Sequence, residues 1–158
     1  FVSADHRFVV RVSPEAYRDL VTTAQDGLPN ETGGLLLGSY SGRHTVLTVR
    51  AALPPPPDSV RRRRTFIRGT AGTEHLLGGT SVQGYPCVVV GEWHSHPGSS
   101  PSPSNTDHCH MTLAAVRRLY GCSSPVLVIV GGDLVDPDGW SATVYRRWHR
   151  PTTAVRGW

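Results

Sequence analysis

The segment Glu92-Trp93-His94-Ser95-His96-Pro97, followed by Ser104-Asn105-Thr106-Asp107, gathers side chains that can ligate a metal and move protons. His94 and His96 are alternate residues at the end of an apolar run centred on Val88-Val89-Val90, which reads as a strand over Pro86–His96. Alternate strand residues share a face, with Cα atoms about 6.5–7 Å apart. That separation lets two imidazoles converge on one zinc ion at about 2.0–2.1 Å. Pro97 breaks the strand, and Asp107 falls in the first turn of the next helix, where it can supply a third ligand. The partial positive charge of the helix N-terminus favours an ionised carboxylate there. Two histidines and one carboxylate leave a fourth position for water, which is the arrangement of a catalytic rather than a structural zinc.

Each residue also has a plainer account. A histidine pair is common on protein surfaces. Ser104-x-x-Asp107 is a capping box, with Ser104 at the N-cap and the acid at N3. Strand order, loop and helix together favour the metal. Glu92 precedes His94 by two residues and shares its face, so spacing leaves it open as base, ligand or supporting partner. His108 is turned from Asp107 by about 100° of helix. His110 lies nearer that face, and both read as surface histidines. Cys109 is a thiol with no evident role.

Several elements must position these groups. Alternation over His6–Val12 predicts a strand. Ser13-Pro14-Glu15 starts a helix running to about Gln25, stopped by Gly27-Leu28-Pro29. Thr32–Tyr40 reads as a buried strand and Thr45–Leu53 as its hairpin partner. Pro54–Arg64 reads as a mobile loop and Thr65–Ile67 as a short strand, while Gly72–Gly84 is ambiguous. A helix from Ser104 to about Tyr120, with Met111, Ala115 and Leu119 as its apolar stripe, ends at Gly121. Val126–Val130 reads as a buried strand, Gly131–Gly139 as a turn and Ser141–Trp148 as a final strand.

The 158 residues suit one domain over 1–158. No apolar run long enough to span a bilayer and no basic-then-apolar leader is present, so neither a membrane span nor a signal peptide is expected. The three cysteines, Cys87, Cys109 and Cys122, form no CxxC, which points to a reducing, cytoplasmic setting. The net charge of +4 is carried by sixteen arginines and no lysine, four of the arginines forming the run Arg61–Arg64. With no aromatic residues interleaved, that run reads as solvated loop rather than as a nucleic-acid site, contact with an acidic partner being the lesser alternative.

His94-Ser95-His96, seven residues, Ser104, two residues and Asp107 match the JAMM pattern HSHx7Sx2D at every defined position. Asn30-Glu31-Thr32-Gly33-Gly34-Leu35-Leu36-Leu37-Gly38 fits the upstream glutamate and glycine-rich strand of the same family. The chain therefore resembles the JAMM/MPN-plus zinc metallopeptidases from about Val9 to Val144. The wording around Gly91–Gly98 resembles small bacterial members from ubiquitin-like conjugation operons, including antiphage CBASS-type operons. The resemblance implies an α/β fold of a single MPN (JAB/JAMM, cytidine-deaminase-like) domain, a mixed curved β-sheet flanked by helices. It implies one zinc ion per chain held by His94, His96 and Asp107. Glu31 would be the general acid/base, chosen over Glu92, and Ser104 would donate to the oxyanion. The implied reaction is hydrolysis after the C-terminal glycine of a ubiquitin-like protein or a similarly tailed protein, releasing it from a target amine. Processing of a ubiquitin-like sulfur-carrier precursor is the alternative within the enzyme class. A non-catalytic MPN scaffold is the alternative outside it, and scaffolds lack the ligands present here.

Overall fold

Val, Leu and Ile runs broken by Gly, Pro and Ser make short strands, and the two segments that open on Ser-capped turns make helices. The computed structural model describes residues 1–3, 6–120 and 122–155. In chain order the elements are β1 (Val2–Ser3), β2 (Val9–Val12), α1 (Pro14–Gly27), β3 (Gly33–Ser41), β4 (Val46–Ala52), β5 (Val60–Arg62) and β6 (Thr65–Ile67). There follow β7 (Thr80–Val82), β8 (Tyr85–Pro97), α2 (Asn105–Arg117), β9 (Val126–Gly132), β10 (Trp140–Val144) and β11 (Thr152–Val155). Short 3₁₀ turns lie at Glu74–Gly78 and Pro137–Gly139.

The large sheet runs β3-β4-β2-β1-β11-β10-β9-β8-β7, and β3 also pairs with β8, so the sheet curls round and closes on itself. The pairs β2–β4 and β8–β9 are parallel and the others antiparallel. This is the mixed, curved sheet with helices that the resemblance implies. Strand alternation gives the sheet two apolar faces. Leu36, Val90, Val126, Val128 and Val130 pack with Ala16, Leu20 and Ala24 of α1. Leu35, Leu37, Val89, Leu127 and Ile129 pack with Met111, Ala114 and Ala115 of α2.

A β-bulge in β8 decides which face carries the chemistry. Leu36 pairs with Gly91 and Leu37 with Val89, which leaves Val90 as the extra residue. An extra residue shifts the phase of the side chains beyond it. Val89 before the bulge sits with the α2 cluster, and after the bulge Trp93 joins the α1 cluster while Glu92 and His94 line a cavity with α2. Gly91 has φ +152°, and a Cβ there would lie 1.9 Å from the Val126 carbonyl oxygen. Only glycine fits that backbone.

Several expectations need correction. His6–Phe8 is a turn, with His6 at φ 53° and its N–H on Ser3 O at 2.8 Å, so β2 begins at Val9. The segment Pro54–Arg64 is not all loop: Arg61 and Arg62 belong to β5, paired with β6. Asp58 and Ser59 tie it to the segment after β6: Asp58 accepts the N–H groups of Thr70 at 3.0 Å and Ala71 at 3.1 Å, and Ser59 Oγ accepts Gly69 N–H at 3.0 Å. Helix α2 stops when Arg118 turns left-handed at φ 52°, which leaves Leu119 45% exposed; Ala114 takes its expected place in the stripe. Gly121, expected as the stop, lies outside the described residues. The final strand ends at Val144 because Arg146–His149 form a turn, closed by His149 N–H on Arg146 O at 3.1 Å with Trp148 at φ 63°. The chain then returns as β11, a strand the sequence reading missed. No helix among the described residues is long and apolar enough to cross a membrane.

Candidate metal centre

Strand β8 carries His94 and His96 to its end, and the loop after Pro97 returns the chain to α2, whose first turn holds Asp107. One ligand atom from each of these residues lies within 4.8 Å of the others. His94 Nε2 is 3.0 Å from His96 Nε2 and 3.7 Å from Asp107 Oδ2. Two ligands at 2.0–2.1 Å on a tetrahedral ion stand about 3.3 Å apart, a value that these two separations bracket, so the donor set is compatible with zinc. The chemistry of the donors agrees. His96 Nδ1 lies 2.9 Å from the Ser100 carbonyl, which can only accept. Nδ1 therefore carries the proton and Nε2 is left with its lone pair towards the site. Burial above all pushes the His94 imidazole down to about 4, which keeps it neutral and ready to bind a cation.

Asp107 closes the capping box of α2 with an oxygen that also lies near His94. Its Oδ2 accepts Ser104 N–H at 2.7 Å and the Ser104 hydroxyl at 2.7 Å, while Ser104 Oγ accepts Asp107 N–H at 3.2 Å. The capping box thus aims the same carboxylate oxygen that faces His94. Ser104 has one hydroxyl proton, and in this geometry Asp107 holds it.

Glu31 approaches the centre from the segment that leads into β3. Ser95, between the two histidines, points away from them; its Oγ accepts Thr32 N–H at 3.1 Å and its own N–H donates to Thr32 O at 2.8 Å. Glu31, two residues before β3, is close enough to His96 and Asp107 for its carboxyl to interact with both. The half-buried Glu31 carboxyl is raised in pKa, by desolvation first and by the Asp107 charge, with His96 opposing. The backbone N–H of Glu31 donates to Arg62 O at 2.8 Å, which ties it to the β5–β6 hairpin.

Glu92 belongs to a separate ionic cluster on the same face. Its Oε1 accepts from Arg68 Nε at 2.9 Å and from the Tyr120 hydroxyl, with His110 Nε2 at 3.2 Å. Burial raises the Glu92 pKa, but the His110 hydrogen bond and the Arg68 guanidinium outweigh it and hold the carboxyl at about 2. A carboxylate so satisfied is a poor proton acceptor. His110 is half-exposed, as expected of a surface histidine, but it has this partner. His108 Nδ1 lies 2.9 Å from the Tyr145 hydroxyl, and Cys109 is exposed. A cavity of about 140 Å³ lined by Phe66, Arg68, Glu92, His94, Asp107 and His110 adjoins the ligands. The sequence reading missed Phe66, Arg68, Tyr120 and the structural role of Ser95. Only Ser95 carried a signal, since strand alternation turns it to the opposite face from its histidine neighbours.

The family of prokaryotic homologs of the JAB domain matches residues 13–150. A protein of Enterobacter hormaechei subsp. hoffmannii (strain UCI 50) called CD-NTase/cGAS isopeptidase is 37% identical over 151 residues, which are 96% of this chain and 83% of that protein. A protein of the same name from Pseudomonas aeruginosa (strain BWHPSA011 / Pa011) is 39% identical over 104 residues, 65% of this chain and 63% of that protein. The solution structure of a Desulfitobacterium hafniense protein superposes with a TM-score of 0.56 at 19% identity, covering 94% of this chain and 90% of that one, which shows the fold. The chain belongs to the prokaryotic JAB-domain family.

Proposed function

We propose that this protein is a bacterial zinc-dependent isopeptidase. It hydrolyses the amide bond that joins the C-terminal tail of a conjugated protein to a target amine. The names of its relatives point to a CD-NTase/cGAS-type enzyme as the conjugated protein, a ubiquitin-like protein being the related substrate. The observation that carries this reading is the convergence of His94, His96 and Asp107 with Glu31 close enough to feel two of them.

His94 and His96, through Nε2, and the Asp107 carboxylate would hold the ion. Zinc, when bound, brings the pKa of a coordinated water towards neutrality and polarises the scissile carbonyl. Glu31 accepts the proton of the attacking water and delivers it to the leaving nitrogen as the C–N bond breaks. Ser104 first holds Asp107 on the helix; its hydroxyl donates to the carbonyl oxygen as negative charge develops there.

Glu31→Gln is expected to keep zinc and lose about 10²-fold or more in kcat. Turnover at the wild-type rate in that variant would move the base elsewhere. His94→Ala and Asp107→Ala should each lose zinc by elemental analysis after dialysis. Full occupancy in either would remove that residue from the ligand set.

A further inference from the structure

The β5–β6 hairpin stands over the candidate centre and is fixed there by three contacts. Arg62 O holds Glu31 N–H at 2.8 Å. The Phe66 ring lies 6.3 Å from that of His94. Arg68, just past β6, donates from Nε to Glu92 at 2.9 Å. Arg61, Arg62, Arg63 and Arg64, in strand β5 and the turn that follows, are all exposed. None of the four pairs with a carboxylate among the described residues. Of the acids close by, Asp58 takes the Thr70 and Ala71 N–H groups, Glu92 takes Arg68, and the Glu31 carboxyl interacts with His96 and Asp107 rather than with the arginine run. Arg61 pairs with Phe66, and cross-strand partners share a face, so Arg61 emerges on the side of the hairpin that meets the centre.

Four adjacent guanidiniums repel one another and gain nothing from the fold they sit on. Held unpaired beside a reaction centre, they raise the local concentration of anionic ligands within about 8 Å at physiological ionic strength. The planar guanidinium fork matches a carboxylate with two parallel hydrogen bonds. The hairpin's one aromatic side chain, Phe66, is turned to His94, so it provides no stacking platform for bases. We propose that Arg61–Arg64 form a docking surface for a carboxylate-rich peptide segment flanking the scissile amide. This makes an acidic stretch beside the conjugation point the specificity element of the substrate. It rests on the isopeptidase reading for what the docked segment is attached to.

The test separates the two claims by measuring binding without turnover. Zinc-loaded Glu31→Gln protein is titrated with a fluorescein-labelled peptide alternating Asp and Glu, with its Asn/Gln counterpart, and with a DNA oligonucleotide of equal charge. The acidic peptide should bind, weaken with added salt, and lose about 10-fold or more in affinity in the Arg61→Glu/Arg63→Glu background. The Asn/Gln peptide should not bind, and the acidic peptide should inhibit hydrolysis by the wild-type protein competitively. Arg62→Gln/Arg64→Gln provides a milder second variant should the charge reversal impair folding, which far-UV circular dichroism reads directly. Equal affinity for the acidic peptide in both folded variants overturns the proposal, as does tighter binding of the DNA. Absence of hydrolysis by the wild-type protein would sink the isopeptidase reading and leave the binding result standing.

Discussion

At the scale of single residues, each acidic group near the centre is sorted by what its oxygens already accept. Among the described residues the Glu31 carboxyl accepts no hydrogen bond, and burial raises its pKa, whereas Glu92 is lowered to about 2 against an ordinary 4.5. The sign of the resulting pH dependence follows. A carboxyl depressed in the folded state contributes stability above its unfolded pKa and loses it as pH falls through the folded one. Wild type should therefore exceed Glu92→Gln by up to about 3 kcal/mol above pH 5 or so, the gap closing between about 4.5 and 2. Urea titrations at stepped pH measure it, and a constant gap would mean that Glu92 is not ionised in the fold. Ser104 poses a sharper choice, because its hydroxyl is donated to Asp107 at 2.7 Å. Losing the cap costs about 1 kcal/mol. If the hydroxyl also serves the oxyanion, Ser104→Ala should lower kcat by about 10²-fold with zinc retained. A variant that loses zinc instead, with kcat per bound ion preserved, would make Ser104 a support for Asp107 alone.

At the scale of elements, the site depends on a change of phase within one strand. The bulge at Val90 puts Val90 and Trp93 with α1, and Glu92 and His94 with α2. A regular β8 would keep its pattern but turn its histidines to the other face. Gly91→Ala places a methyl 1.9 Å from Val126 O in a backbone conformation of φ +152°. We expect a loss of about 3 kcal/mol or more, with weakened zinc binding in whatever folds. Wild-type melting temperature and zinc affinity in Gly91→Ala would show that the bulge is not what aims the histidines. These features mark the limit of what the residues disclosed. His94, His96, Ser104 and Asp107 were legible because alternation and a capping box act over a few positions. So were α1, β3, β4, β8 and β9, whose apolar periods agree with their burial. The bulge was not legible, since Gly91 looks like any strand glycine until a neighbour closes on it. The Arg68–Glu92–Tyr120 cluster joins residues distant in sequence, and β11 pairs with β1 and β10 through contacts that no local pattern encodes.

At the scale of the whole molecule, closure of the sheet couples the two ends of the chain to the centre. Strand β11 lies between β1 and β10, and the path from it through β10 and β9 leads to β8 and its histidines. Both apolar clusters draw on β3, β8 and β9, so neither helix can leave without exposing β8, which carries the two histidines, and the strands beside it. A chain organised in this way should unfold as one unit over 1–158. Ala154 is buried at 1% exposure and pairs with Ser3 on one side and Ala142 on the other. Ala154→Pro removes a ladder donor from an interior strand and costs about 3 kcal/mol or more. Although Ala154 belongs to no part of the centre, zinc release and loss of far-UV signal should both shift to lower denaturant and still coincide. Bound zinc should raise both midpoints together by mass action on the folded state. A variant in which the strand signal falls first while zinc stays bound would divide the chain into separately folding parts. The centre would then rest on β3, β8 and α2 alone rather than on the closed sheet.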